Sequence, residues 1–225
     1  MIPPMDFREV LETTGTCRFY RPDPIPDAVL ARVLDGARYA PTGGNRQGVR
    51  FVVVRDAANR RQLQAWYLPI WEQYVGRAQT RPGAPLPRLL ENADHMARHL
   101  AEIPALIVVC AQLGDLLATD RHLDRLTIVG GASVYPSVQN LLLAARAEGL
   151  GTALTTLLCA VEPQVKELLA IPDGVATAAM VPVGYPARGF PKRLARRPLA
   201  ELCFADTYGT ALVVGPFPEP PTPFS

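Results

Sequence analysis

The chain has little net charge, no long apolar run and no basic leader at its start. Its 23 lysines and arginines against 21 aspartates and glutamates leave a net charge of +2, far from the basic excess of nucleic-acid-binding domains. No apolar run approaches the ~20 residues that a membrane-spanning helix needs. Residues 1–6 lack the basic and apolar regions of a secretion signal. We therefore expect no nucleic-acid partner, no membrane association and a cytoplasmic location.

Several chemical signatures are also missing. The sequence contains neither a GxGxxG turn nor a Walker loop, so a Rossmann-type dinucleotide fold or an ATPase is not indicated. No hydrolase triad and no zinc motif is evident. The four cysteines form no CxxC pair, which favours reduced, mostly buried thiols over a disulfide framework. His95 and His99 are spaced to share a metal ion on one helix, but no third ligand accompanies them, so we expect no metal site.

Proline is abundant, at 23 of 225 residues, about twice the ~5% typical of proteins. Five of the last ten residues are proline, which excludes a helix or a central strand there. Elsewhere, apolar residues make up 48% of the chain and no linker divides it. We expect one domain over residues 1–214 and a proline-rich tail over residues 215–225.

Helical and strand patterns alternate along the chain, with more helix than strand. This favours an α+β protein, an α/β sandwich with four or five strands. A proline-rich break is expected at residues 85–87. The predicted helices span about residues 26–40, 56–74, 89–101, 133–148 and 161–170, and the predicted strands span residues 50–54, 105–111, 152–158 and 175–183.

The loop at residues 40–47, between a predicted helix and a strand, combines two glycines with amide side chains. Glycine permits close approach of the backbone to a ligand. Asn45 and Gln47 each offer a donor and an acceptor, which suits the edge of a flat heteroaromatic ring. An ordinary turn between helix and strand explains the same residues, and the sequence alone leaves both interpretations open.

Three other segments carry groups suited to an anion or a ring. Thr16 and Arg18, two residues apart on an extended piece, face the same way and are spaced to grip one phosphate. Residues 192–197 concentrate four cations, which indicates either a phosphate clamp or a solvated surface. Thr155 and Thr156 end a predicted strand, either as ordinary strand formers or as hydroxyls aimed at a bound ring.

Taken in order, these segments resemble the flavin-dependent nitroreductase family. The resemblance covers about residues 7–202, and it depends on four motifs in the right order rather than on any single one. The motifs are Thr16-Cys17-Arg18-Phe19-Tyr20 followed by Pro22-Asp23-Pro24-Ile25-Pro26, then Ala40-Pro41-Thr42-Gly43-Gly44-Asn45-Arg46-Gln47, then residues 138–145 with Gly149-Leu150-Gly151, and finally residues 182–186 with Arg196-Arg197-Pro198-Leu199.

The resemblance implies a central, mostly antiparallel sheet flanked by helices, in an intertwined homodimer with FMN at the subunit interface. It implies hydride transfer from NADH or NADPH through flavin N5 to a small aromatic, nitro- or conjugated acceptor, by a ping-pong route. The resemblance places phosphate contacts on Thr16, Arg18, Arg196 and Arg197; it places Pro41, Thr42, Gly43, Asn45 and Gln47 against the flavin from the other subunit; and it places Thr155, Thr156 and Leu157 beside N5.

Two departures from the family pattern stand out. Where many members have Arg-Arg-Ser, this chain has Thr14-Gly15-Thr16, so two cations of the phosphate clamp are missing. Where an aromatic residue usually follows Gln-Pro, Gln47 is followed by Gly48 and Val49, which implies a roomier flavin pocket. Unless Arg193, Arg196 or Arg197 compensates for the lost cations, FMN binding is expected to weaken.

The predicted helix at residues 56–74 carries aromatic residues that are either a lid over the substrate or a packing face. We take Trp71 and Tyr74 as the candidate substrate contacts. Two other functions remain open from the sequence: a flavin-binding protein without turnover, for storage or sensing, and a flavin-consuming or one-electron branch of the same family. The one-electron branch is motivated by Thr155 and Thr156, which look like the threonine-rich strand of iodotyrosine deiodinases.

Overall fold

The computed structural model describes residues 5–78, 87–213 and 215. They belong to two compact units, Met1–Lys192 and Arg193–Ser225. The first unit contains, in chain order, α1 Phe7–Thr13, α2 Asp27–Ala37, β1 Val49–Val54, α3 Ala57–Ala78, α4 Arg88–Arg98, β2 Ala105–Gln112, α5 Tyr135–Ala147, β3 Gly151–Thr152, α6 Glu162–Leu169 and β4 Val175–Gly184. None of the helices described is long and apolar enough to cross a membrane.

The helices begin and end where local chemistry satisfies their free backbone groups. The Asp6 carboxylate caps α1 by accepting hydrogen bonds from the amides of Arg8 and Glu9, at 2.9 and 3.3 Å. Asp56 does the same before α3, accepting from the Asn59 amide at 2.8 Å. Ala170 ends α6 in the left-handed region, at a φ of 51°. The helices predicted from periodicity are therefore present, although α3 is longer and α4 shorter than predicted.

The four strands form one antiparallel sheet in the order β1-β2-β4-β3. Strand β2 is central and buried on both faces. Its side chains alternate between two apolar clusters: Leu106 and Val108 pack beneath α3 and α4, whereas Ile107 and Val109 pack with α2 and α5. This α+β arrangement confirms the predicted fold class.

The predicted strand at residues 152–158 is mostly wrong. Only Gly151 and Thr152 pair as β3 with the end of β4. The chain returns for a single bridge between Thr155 and Met180, and a 3₁₀ turn over Leu157–Val161 follows. The Thr155 hydroxyl accepts from the Leu157 amide at 3.4 Å, so a local hydrogen bond competes with the ladder there.

The four cysteines are free thiols, as expected, but only Cys110 is buried; the other three are half-buried. Burial raises the pKa of the Cys110 thiol to about 11. The expectation of mostly buried thiols is therefore wrong.

The C-terminal unit is small. It contains a 3₁₀ turn over Leu199–Glu201 and a bridge between Phe204 and Ala211, with the rings of Phe204 and Tyr208 4.6 Å apart. The predicted proline-rich tail lies outside the described residues except for Gly215, and so does most of the predicted break at residues 85–87.

Candidate functional site

Residues 16–21 are held against two other parts of the first unit by backbone hydrogen bonds. The Cys17 amide donates to the Thr152 carbonyl at 2.7 Å, and the Arg21 amide donates to the Tyr185 carbonyl at 2.8 Å. The fit against β3 requires a glycine, because a Cβ atom on Gly151 would lie 2.7 Å from the Cβ of Cys17. This segment therefore has a fixed position at the β3 edge of the sheet.

A cavity of about 180 Å³ opens at this edge. Thr16, Arg18, Asn92 and Arg188 line it, together with neighbouring residues that include Phe19 and Phe190. We call this set of four residues the cationic corner. Thr16 is exposed and Arg18 is half-buried. Two of the four residues predicted to hold a phosphate therefore line one cavity.

The Arg18 guanidinium lacks a carboxylate partner among the residues described. Its hydrogen bond there goes to the thioether sulfur of Met96, 3.3 Å away, which is a weak acceptor. Arg146, which is also withdrawn from solvent, donates instead to the Thr13 hydroxyl at 3.0 Å and lies 4.0 Å from a Glu9 oxygen. Because a half-buried cation is costly without an anion, Arg18 is suited to bind one.

Tyr67 links the cationic corner to the predicted N5 segment. Its side chain is 2% exposed, and its hydroxyl lies 3.2 Å from the Thr155 hydroxyl. Burial raises the pKa of Tyr67, while the hydrogen bond to Thr155 and the nearby charge of Arg18 act in the opposite direction. Thr155 also exchanges both backbone hydrogen bonds with Met180, at 3.0 and 2.8 Å. Arg18 and Thr155 are thus brought together on one side of the sheet.

The other predicted N5 neighbours continue from Thr155. Thr156 is exposed and Leu157 is half-buried. Within the described residues, neither the amide nor the hydroxyl of Thr156 donates a hydrogen bond. Thr156 therefore presents two free donors beside a fixed threonine.

The glycine loop lies at a different corner of the sheet. A 3₁₀ turn over Gly43–Asn45 leads towards β1, and the Gly43 amide donates to the Ser133 hydroxyl at 3.0 Å. The Gln112 amide, at the end of β2, donates to the Gly48 carbonyl at 2.9 Å. A Cβ atom on Gly48 would lie 2.7 Å from that of Asp115, which accounts for the glycine at this position. We call residues 41–48 the loop corner.

Backbone conformation in the loop corner is unusual. Gly44, Asn45 and Gln47 have φ values of 60°, 53° and 53°. Glutamine rarely adopts this left-handed region. The Gln47 amide N–H is satisfied by the Thr42 hydroxyl at 3.0 Å, and its side chain donates to the Asn45 side-chain oxygen at 3.1 Å. Both predicted amide side chains are exposed and held together.

The two corners lie diagonally across the sheet. Thr152, beside the cationic corner, pairs with Val183 at one end of β4. Val49, the first residue of β1 beside the loop corner, pairs with Ala111 of β2, and Ala111 pairs with Ala176 at the other end of β4. Strand spacing and rise put Thr152 and Val49, the strand residues beside the two corners, about 25 Å apart. One small ligand cannot reach both corners of one chain.

The remaining predicted residues lie elsewhere. Arg196 and Arg197 are exposed in the C-terminal unit, where Arg196 donates to the Ala195 carbonyl at 2.8 Å. Trp71 is 6% exposed in the core and donates from its indole nitrogen to an Asp94 oxygen at 2.9 Å, whereas Tyr74 is 54% exposed. The packing interpretation thus describes the surroundings of Trp71, and the substrate role of both aromatic residues stays a prediction.

Sequence reasoning missed two members of the cationic corner. Asn92 lies on α4, which carries no recognisable motif. Arg188 follows Gly184-Tyr185-Pro186 closely, within the turn after the last strand, and its proximity to that motif is a usable signal. The sequence pointed instead to the denser run of cations at residues 192–197.

Comparison with known proteins identifies the family to which this fold belongs. The family model described as Nitroreductase family matches residues 11–185. The chain therefore belongs to the nitroreductase family of oxidoreductases.

Individual relatives agree with this assignment. The chain is 28% identical over 221 residues to an NADH dehydrogenase of Thermus thermophilus, covering 84% of this chain and 92% of that one. It is 33% identical to 5,6-dimethylbenzimidazole synthase of Rhodospirillum rubrum, covering 77% and 79%. The chain is 28% identical to iodotyrosine deiodinase 1 of Rattus norvegicus, and the match covers 82% of this chain and 63% of that protein.

A solved structure shares the fold. It is a nitroreductase of Desulfitobacterium hafniense with bound FMN, with a TM-score of 0.66 and 18% identity, and the match covers 90% of this chain and all of that one.

Proposed function

We propose that this protein is an FMN-dependent oxidoreductase that uses NADH or NADPH to reduce a small aromatic, nitro- or conjugated acceptor by a ping-pong route. The observation that carries the proposal is the half-buried Arg18, which has no carboxylate partner in the described residues and lines a phosphate-sized cavity with Thr16. Its charge also acts on Tyr67, whose hydroxyl lies 3.2 Å from that of Thr155. The FMN bound to the Desulfitobacterium nitroreductase and the NADH in the name of the Thermus relative support it.

The donor set at the cationic corner fits the phosphate end of FMN. A guanidinium fork matches phosphate oxygens, and the Thr16 hydroxyl adds a neutral donor in the same cavity. Arg196 and Arg197 are further phosphate ligands in this proposal. The negative charge of the phosphate would then pair with the Arg18 guanidinium, which has no carboxylate partner in the described residues.

The residues after Thr155 fit the ring end. FMN, when bound, supplies the redox chemistry by accepting hydride from the nicotinamide and passing it on. Thr155, Thr156 and Leu157 would hold the edge of the ring around N5, with the free amide and hydroxyl of Thr156 as donors. The hydrogen bond between the Tyr67 and Thr155 hydroxyls and the backbone pairing with Met180 fix Thr155 and thereby orient these donors.

The loop corner implies a second copy of the chain. Pro41, Thr42, Gly43, Asn45 and Gln47 are proposed to contact the flavin, but in their own chain the strand residues beside the two corners lie about 25 Å apart. They reach an FMN only across a dimer interface. Purified protein should therefore elute near 49 kDa, about twice the 24.4 kDa of the chain. A monomer that still holds FMN would contradict the shared site.

The aromatic residues of α3 are proposed to act on the acceptor. Tyr74 is exposed and its ring centroid lies 5.8 Å from that of Trp71. Tyr74 would stack on the acceptor, and Trp71, buried and bonded to Asp94, would fix its position.

The first test is the visible spectrum of the purified protein before and after NADH or NADPH is added without oxygen. We expect a flavin spectrum that bleaches with at least one donor. A colourless protein that takes up no added FMN would refute the proposal. A flavin spectrum that neither donor bleaches would instead indicate flavin binding without turnover.

The phosphate assignment is tested by Arg18→Ala and Arg196→Ala. Loss of a charge-assisted contact should weaken FMN binding about tenfold or more in each variant. Arg61→Ala is the matched control, since Arg61 is exposed on α3 and has no ion pair among the described residues. Unchanged flavin content in both test variants would refute the assignment.

The similarity to 5,6-dimethylbenzimidazole synthase supports a second candidate, in which FMN is consumed rather than recycled. The two functions differ in the fate of the flavin. Chromatography of the extracted flavin after aerobic reduction distinguishes them: recovery of intact FMN favours the oxidoreductase, and its loss to fragments favours the flavin-consuming enzyme.

A further inference from the structure

We infer that Arg188 is a further phosphate-binding residue of the cofactor site and that it replaces a cation missing at Thr14-Gly15. The inference rests on the proposed function, since it concerns the phosphate of the same FMN.

The pairing of two chain segments brings Arg188 to the cationic corner. Tyr20 and Pro186 form an antiparallel bridge, and the Ala187 amide donates to the Phe19 carbonyl at 2.9 Å. Continuing this register by two residues sets Arg188 opposite Arg18. Both side chains line the cavity of about 180 Å³ that contains Thr16 and Asn92.

The charges at this corner lack a counterpart. Like charges on directly opposite residues of paired strands are destabilising. Arg188, like Arg18, has no carboxylate within ion-pair distance in the described part of the chain. Arg32, by contrast, lies 2.7 Å from a Glu148 oxygen. A dianion in the cavity would convert the repulsion of Arg18 and Arg188 into two attractions.

The Arg188 guanidinium is already oriented. Its central carbon lies 3.3 Å from the centroid of the Phe19 ring. The His95 ring stacks on Phe19 as well, with centroids 4.3 Å apart, so Phe19 is itself held in place. Stacking uses the flat face of a guanidinium and leaves its five N–H donors, which all lie at the edge, for an anion. Little conformational entropy is then lost when the anion binds.

The ligand chemistry that suits this arrangement is a phosphate monoester. Two guanidinium forks that line one cavity can each bind a pair of phosphate oxygens. The Asn92 amide and the Thr16 hydroxyl add neutral donors. Riboflavin, which has the same ring and no phosphate, would gain nothing from Arg188.

The test compares FMN with riboflavin by titration calorimetry on the full-length dimer. The variants are Arg188→Ala, which removes the cation, and Arg188→Lys, which keeps the charge and removes the fork, with Arg61→Ala as the control. We expect Arg188→Ala to weaken FMN binding about tenfold or more and to leave riboflavin binding unchanged. Arg188→Lys should recover part of the loss, and Arg61→Ala should match the original protein.

Three results would overturn the inference. FMN affinity unchanged by Arg188→Ala would show that no phosphate contact exists. Equal losses for FMN and riboflavin would show that Arg188 acts through the Phe19 ring rather than on the phosphate. If the original protein binds FMN no better than riboflavin, the phosphate site fails as a whole, and the proposed function fails with Arg188. Because Arg188 is exposed, circular dichroism should show an unchanged fold in each variant.

Discussion

The two corners of the sheet offer different kinds of group to a ligand. At the cationic corner, long side chains carry the chemistry, and Arg18 and Arg188 bring charge to a cavity with no carboxylate partner in the described residues. At the loop corner, short residues carry it, and the backbone turns through left-handed conformations at Gly44, Asn45 and Gln47. Side-chain cations suit a phosphate, whereas exposed backbone and amide groups suit the edge of a ring. We therefore expect the first corner to recognise phosphate and the second to recognise the flavin ring.

The largest expected effect is on flavin binding in a dimer whose two chains each carry a substitution at a different corner. Arg18→Glu should disable the cationic corner and Gly43→Asp the loop corner, so each variant alone should lose flavin binding. A Cβ atom on Gly43 would meet the Ser133 hydroxyl at an ordinary 3.6 Å, so Gly43→Asp should still fold. Co-expression with different tags gives a mixed dimer with one intact site and one doubly damaged site. Bound flavin in that mixed dimer is the measurement.

The outcome separates two architectures. Recovery of flavin in the mixed dimer requires that each site draw on both chains. If the mixed dimer holds as little flavin as the single variants, the two corners do not bind the same ligand.

A smaller effect should follow from adding one methyl group at either corner. Gly151→Ala and Gly48→Ala each place a Cβ atom 2.7 Å from a neighbour, on Cys17 and Asp115 respectively. Each should reduce the free energy of unfolding by about 1–3 kcal/mol. Gly151→Ala should also reduce the preference for FMN over riboflavin, whereas Gly48→Ala should weaken both flavins equally. Denaturant unfolding and paired titrations measure the two effects.

Gly76→Ala is the control for these variants. Nothing lies within 4 Å of a Cβ atom there, and the position is inside α3. Alanine should stabilise that helix by about 0.5–1 kcal/mol relative to glycine. Destabilisation by Gly76→Ala, or the same flavin pattern from both corner variants, would remove the distinction between the corners.

The smallest expected effect concerns pH at the cationic corner. Burial, with the nearby charges of His99 and Arg188, lowers the pKa of His95, and Glu102 and Asp94 oppose this only in part. The folded state therefore favours the neutral form of the ring. That contribution to stability is complete above the unfolded pKa of ~6.5 and is lost as pH falls below it towards the lower folded value.

Thermal unfolding from pH 7.5 to 5 measures this contribution. The original protein should lose more stability on acidification than His95→Gln, and the difference should shrink with FMN bound, since phosphate offsets the charge of Arg188. His122→Gln, at an exposed position, is the control. Parallel pH profiles for the original protein and His95→Gln would refute the role of His95.

The sequence predicts those parts of the fold that depend on local pattern. Periodicity locates α2 and α5, and β-branched runs locate β1 and β2, because both signals lie within a few neighbouring residues. The segment after Thr152 escapes prediction because its path depends on contacts of Thr155 with Tyr67 and Met180, far away in the chain. Helical or strand propensity carries no information about such contacts.

The site residues also divide into those that local sequence predicts and those that depend on distant contacts. Thr16 and Arg18 can be recognised because they form one motif, and the structure places them at one cavity. The nearby Gly184-Tyr185-Pro186 motif points to Arg188, but its place opposite Arg18 depends on the pairing of residues 19–21 with 185–187, which a local pattern does not reveal. The spacing of Trp71 suits a lid as well as a packing face, but its bond to Asp94 of α4 fixes it in the core.

The position of Trp71 also has a consequence for the fluorescence of the protein. The chain has two tryptophans, Trp66 and Trp71, and both lie on α3, with Tyr67 and its hydrogen bond to Thr155 next to Trp66. Tryptophan emission overlaps flavin absorption, so a flavin bound beside Thr155 should quench both indoles by energy transfer. The tryptophan fluorescence of the unlabelled protein would then measure the fraction of sites that hold flavin. Because both indoles lie on α3, this emission reports on the surroundings of α3 rather than on the sheet.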